Sequence, residues 1–86
     1  MKVGDIVIST YGHDTGEWYI VKEINEEFVY LINGSTKTVD KPKKKKIKHI
    51  YKTEYNSNEV AEKLISESYI QNAEIRKALK FFKNIN

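Results

Sequence analysis

The densest chemistry in the sequence is the stretch Lys41-Pro-Lys-Lys-Lys-Lys-Ile-Lys-His-Ile50, which places six lysines and a histidine in ten residues with no acid among them. Extended through Tyr51 and Lys52, the window 41–52 carries seven positive charges. The net charge of +3 less these seven leaves −4 on the other 74 residues. A charge excess confined to one segment points to an anionic partner. Consecutive lysines in an extended chain project alternately to two sides, so Lys43, Lys44, Lys45 and Lys46 cannot all lie on one flat surface. They can follow a groove or bridge two backbone segments, joined by Lys41 and Lys48 at either end. Each phosphate neutralised adds about 0.7 to 0.9 to the slope of log affinity against log salt. Pro42 stiffens the approach to the run, and Ile47 and Tyr51 are expected to anchor its exit in a folded core.

Other reactive side chains are sparse. Tyr11 and His13 flank Gly12 in a loop, where a ring can stack on an unpaired base or simply pack. His49 sits amid lysines, which disfavour its protonation; it is read as a nucleic-acid contact or a surface residue and not as a catalyst. Trp18 is expected in core or helix packing. Ser9, His13 and Asp14 include the residue types of a hydrolytic triad, but sequence neighbours rarely converge properly, and no oxyanion device accompanies them. Two histidines 36 positions apart and no cysteine argue against a metal site. Gly12 and Gly16 read as a tight loop and not as a phosphate cradle, because neither a helix N-terminus nor a lysine–threonine pair follows. The expectation is a non-catalytic protein with no metal, cofactor or small-molecule substrate.

The elements that must position these residues fall into two regimes. Residues 3–52 read as five short strands: Asp5–Thr10, Trp18–Ile24, Phe28–Ile32, Thr36–Val39 and Ile47–Tyr51. Asn33-Gly34 is read as a two-residue hairpin turn, since both residues tolerate positive φ. Five strands at such spacing imply a small barrel or sandwich. Residues 53–86 read as two short helices. Asn56, with Glu59 three residues on, is expected to cap the first, whose apolar face is Val60, Ala61, Leu64 and Ile65. Asn72 is expected to cap the second, where Ile75, Ala78, Leu79 and Phe82 repeat at helical spacing.

Alternation puts Tyr19 and Val21 on one face of the second strand, with Trp18 and Ile20 on the other. The third strand divides Val29 and Leu31 from Phe28, Tyr30 and Ile32. Both faces of this hairpin are apolar, so one must fill the barrel while helices, RNA or both cover the other. Helices this short cannot stand alone. Hydrophobic residues at 40% and aromatics at 12% fit a folded chain and exclude a disordered one. No apolar run approaches the ~20 residues that span a bilayer. The opening MKVGDIVIS has no signal-peptide core, and cysteine is absent, so a soluble cytoplasmic protein is expected.

Gly4-Asp5-Ile-Val-Ile, the Gly12-x-x-x-Gly16 spacing, and then Val21 and Ile24 together resemble the KOW motif, a strand–loop–strand unit of ribosomal proteins and transcription elongation factors. The segments VYLINGSTKTVDKPKKKKIKHI and NAEIRKAL resemble small bacterial RNA-binding proteins carrying one KOW domain, themselves similar to a large-subunit ribosomal protein of archaea and eukaryotes. The resemblance implies a mainly β fold: a five-stranded SH3-like barrel over 1–52, followed by a two-helix extension over 53–86 packed on the barrel or on a partner. It implies RNA as the partner, ribosomal RNA first, with ribosomal proteins as further neighbours. The loop His13-Asp14-Thr15 departs from the basic loop frequent in that family, and Tyr19 stands where glycine is common. The expected RNA-binding residues are Lys41, Lys43, Lys44, Lys45, Lys46, Lys48, His49, Tyr11 and His13, with Arg76, Lys77, Lys80 and Lys83 extending the footprint. The rival expectation is a protein-interaction adaptor that uses the barrel's aromatics.

Overall fold

In the computed structural model, which describes residues 1–85, the three most apolar alternating runs form the centre of one sheet. They are β1 (Asp5–Ser9), β2 (Trp18–Asn25) and β3 (Phe28–Ile32). β4 (Lys43–Lys46) and β5 (Ile50–Asn56) flank them, and all neighbours are antiparallel in the order β4-β3-β2-β1-β5. A 3-10 turn over Ile47–His49 links the two outermost strands. No ladder joins β4 to β5 among the described residues, so the sheet does not close as a barrel. Two helices follow, α1 (Asn58–Ile65) and α2 (Asn72–Lys83). The protein is thus mainly β, a five-stranded antiparallel sheet with a helical pair at its C-terminal end.

The two faces of the sheet divide as alternation requires. Val7, Tyr19, Val21, Val29 and Leu31 gather on one side, with Ile24, Ile47 and Ile50 packed against them. Ile6, Ile20 and Ile32 face the other way and meet Val60, Ile70, Ile75 and Leu79. Each of these three isoleucines is fully buried. Without the helices each would forfeit about 2 kcal/mol of burial. The appendage therefore completes the sheet's second core, and it packs on its own chain.

Polar bonds fix the docking. The Arg76 guanidinium donates to the Gly34 carbonyl at 2.5 Å, and the Val39 N–H donates to Asn72 Oδ1 at 3.0 Å. Gly34 sits at φ +78° directly beneath α2, where a Cβ would stand 2.4 Å from the Asn72 carbonyl oxygen. Only glycine fits that approach. Where β1 and β5 shift register, Thr53 Oγ1 donates to the Ile6 carbonyl at 2.6 Å and accepts from the Tyr55 N–H.

Six expectations need correction. Residues 36–39 form no strand; the fourth strand is the lysine run itself. Asn33-Gly34 is not a two-residue hairpin, because Asn33 Oδ1 accepts from the N–H groups of Ser35 and Lys37 while its Nδ2 donates to Thr36 Oγ1. This side-chain hook outcompetes the tight turn and opens it into a ten-residue loop over 33–42. Ile47–Tyr51 is likewise not one strand: its first three residues form the 3-10 turn, and β5 runs on to Asn56. Asn56 does not cap α1. Its Nδ2 is spent on the Val3 carbonyl and Asp5 Oδ1, and Ser57 Oγ accepts the capping bond from the Val60 N–H. Ile65 is 68% exposed, outside the apolar face of α1. Gln71 caps α2, donating its N–H to Glu74 Oε2, and Asn72 is the first helical residue.

Candidate nucleic-acid interface

A run of four lysines has weak strand propensity, yet it pairs along β3 with the register Phe28–Lys46, Val29–Lys45, Tyr30–Lys44 and Leu31–Lys43. The pleat then sorts the ammonium groups. Lys44 and Lys46 face outward and are exposed. Lys44 Nζ stands 4.3 Å above the centre of the Phe28 ring, a cation–π contact at the surface. Lys45 turns inward and is only 9% exposed.

Lys45 is held by the loop between β1 and β2. Its Nζ donates to Asp14 Oδ1 at 2.7 Å and to the Tyr11 carbonyl at 2.6 Å. Ser9 Oγ donates to the same Asp14 oxygen, and the Tyr19 hydroxyl donates to Oδ2 at 2.8 Å. Lys43 Nζ approaches Oδ2 at 3.8 Å. Partial burial works to raise the Asp14 carboxyl, but the bonds from Lys45, Tyr19 and Ser9 and the Lys45 charge outweigh it, holding the group well below the usual carboxylate range. Burial, then Asp14 itself, pushes the Tyr19 phenol above its ordinary value. Gly16, at φ +94°, lets the loop fold back so that its N–H reaches the Ser9 carbonyl.

This loop joins both outer strands. It holds Lys45 of β4, while the Thr10 N–H donates to the His49 carbonyl at 2.9 Å just before β5. The same arrangement brings Tyr11 onto His49, stacked with ring centres 4.3 Å apart and planes 19° from parallel. Partial burial and the charges of Lys48, Lys45 and Lys46 hold the His49 imidazole below the usual histidine range. Tyr11 remains 63% exposed.

The structure therefore divides the expected site residues. Lys41, Lys44, Lys46 and Lys48 are exposed, and Lys52 joins them. Tyr11 and His49 come together beside Lys48. Lys45 is committed to Asp14, and Lys43 leans the same way. His13 is exposed in the loop, with no side-chain hydrogen bond among the described residues. Glu26 and Glu27, in the turn before Phe28, bound the lysine strip where β4 ends: Phe28 pairs with Lys46, and the Ile47 N–H donates to the Glu27 carbonyl. On α2, Lys77 and Lys80 are exposed and Lys83 Nζ lies 5.9 Å from the centre of the half-buried Trp18 ring.

Sequence reasoning missed two features. Asp14 organises the loop, and the only local signal was an acid in a segment where the resemblance leads one to expect bases. Tyr51, expected as a core anchor, is 60% exposed, and Ile50 takes the inward place beside Ile47. The buried Ser9 hydroxyl donates to Asp14 and to no histidine. No three histidine, aspartate or glutamate side chains cluster closely enough to hold a metal ion among the described residues. No described helix is long and apolar enough to cross a membrane. No protein-family model matches the chain, and no curated protein matches its sequence.

Proposed function

We propose that the chain is a non-catalytic RNA-binding protein of the cytoplasm, with ribosomal RNA of the large subunit as its partner and ribosomal proteins as neighbours there. The observation that carries this reading is the set of exposed lysines, Lys41, Lys44, Lys46, Lys48 and Lys52, with no acid in the sequence between Lys41 and Lys52. Phosphate contacts of this kind position a protein on a nucleic acid. Lys45 and Lys43 serve a different purpose, fixing the loop that carries Tyr11. The strand order supports an SH3-like barrel of KOW type in partly open form: β5 returns to the free edge of β1, and the Asp14 loop spans the opening towards β4. The resemblance of the sequence to KOW proteins supplies the ribosomal target. An adaptor that binds a protein through Tyr11 and Tyr51 leaves the lysine strip without a task.

The test is binding to a fluorescein-labelled ribosomal RNA fragment across a salt titration. Lys44→Glu, Lys46→Glu and Lys48→Glu combined should lower the slope of log affinity against log salt by about 2, and Lys2→Glu should leave it unchanged. Absence of binding at low salt, or an unaltered slope in the triple variant, sinks the reading. Sedimentation with purified large subunits on a gradient then tests the ribosomal assignment separately.

A further inference from the structure

Lysines alone would serve to hold a duplex, whose bases are hidden and whose deep, narrow major groove admits no side chain. The Tyr11–His49 stack does something that such a surface does not need. Resting on the RNA-binding reading, we propose that this stack receives an unpaired nucleobase, so that the protein engages RNA at bulges, loops or single-stranded ends and not along continuous helix.

Three observations carry the inference. The stack is built at the surface, with most of Tyr11 open to solvent, so it adds little to the core. It is also held rigid from both sides. The Tyr11 carbonyl accepts from Lys45 Nζ at 2.6 Å, and the His49 carbonyl accepts from the Thr10 N–H. A ring fixed in advance loses little conformational freedom when a base lands on it. Finally, exposed cations flank the stack in the chain, able to meet a nucleotide's phosphates: Lys48 precedes His49, Lys46 lies two residues earlier, and Lys52 follows the exposed Tyr51. An aromatic platform among lysines is the arrangement that binds unpaired nucleotides, since every base presents a π-face. The buried Asp14–Lys45 pair is then a positioning device. It contacts no ligand and fixes the backbone on which the platform stands.

The experiment uses two blunt-ended RNA hairpins closed by the same non-nucleotide linker, one fully paired and one identical but for a single bulged 2-aminopurine. Anisotropy of an end label reports affinity, and 2-aminopurine fluorescence reports stacking. The full chain should bind the bulged hairpin more tightly and quench its 2-aminopurine. Tyr11→Ala should weaken bulge binding about 5- to 150-fold and abolish the quench, leaving the paired hairpin's affinity unchanged. Tyr11→Phe, which keeps the ring, should retain both. The side chain is exposed, so an unchanged melting curve for Tyr11→Ala is expected, and Tyr11→Phe guards against misfolding as an explanation. Equal affinity for the two hairpins with no quench overturns the unpaired-base proposal and leaves the RNA reading standing. Binding to neither hairpin at low salt overturns both.

Discussion

Asp14→Asn isolates the device on which the candidate interface depends. The substitution keeps the shape of the side chain but removes the charge that Lys45 meets at 2.7 Å. Lys45 is 9% exposed, so its ammonium would stay desolvated beside a neutral amide, and one of the amide's positions would present donors to Tyr19 or Ser9 in place of an acceptor. Breaking a buried pair costs about 3 to 5 kcal/mol, and leaving a hydrogen-bonded group unmatched costs about 1 to 3. Asp14 keeps some solvent contact, with its side chain 13% exposed, so the lower part of these ranges applies, about 3 kcal/mol. In a domain of this size each kcal/mol moves the melting temperature by about 4 to 8 °C, giving a drop of roughly 12 to 24 °C at pH 7.

The acid dependence carries the sign. The folded-state carboxyl lies below its unfolded value, so its contribution is fully present above about pH 4 and fades as pH falls further. The gap between wild type and Asp14→Asn should therefore narrow between pH 4 and pH 2, and calorimetry over that range measures it. A drop below about 4 °C at pH 7, or a gap that stays constant with acid, refutes the reasoning. Asp14→Asn combined with Lys45→Met should recover much of the loss, because replacing both partners removes the stranded charge.

Gly34→Ala should destabilise by about 2 to 4 kcal/mol, through its positive φ and the overlap with the Asn72 carbonyl, and thermal melts by circular dichroism measure it. Ile75→Ala, at a fully buried site on α2, should cost about 2 to 5 kcal/mol in urea unfolding without altering RNA affinity at temperatures where the chain is folded. Lys45→Glu should lower stability far more than Lys46→Glu, because it sets a second carboxylate against Asp14, while Lys46→Glu should mainly weaken RNA binding. Reversal of that order in paired melting and binding assays would show that the two lysines do not differ in role.

What was legible in the sequence follows the range of the interactions involved. Ile6, Ile20 and Ile32 alternate with Val7, Tyr19 and Val29, so three strands and both their faces can be read from period two. The spacing of Ile75, Leu79 and Phe82 reveals α2 in the same way. Lys43–Lys46 is opaque to such reasoning because lysine disfavours strands, and its pairing with β3 is a tertiary outcome. The loop at 33–42 hid a competition between a glycine turn and the side chain of Asn33, which composition does not decide. The Asp14–Lys45 bond joins residues 31 positions apart, so no local window contains it.

This long-range pair also changes how the lysine run must be weighed. Lysines on an edge strand have a purely structural use, since they discourage pairing with another sheet. Lys44 and Lys46 would suffice for that on β4, and Lys45 is absorbed by Asp14. Edge protection does not call for Lys41, Lys48 or Lys52, which lie outside β4 and yet are exposed in the same run of the sequence. Those three decide between the two uses. Replacing them with glutamine should leave the protein folded and its oligomeric state unchanged while flattening the salt dependence of RNA binding by about 2. If edge protection were the whole role of the run, the same triple replacement would leave RNA affinity and its salt slope untouched.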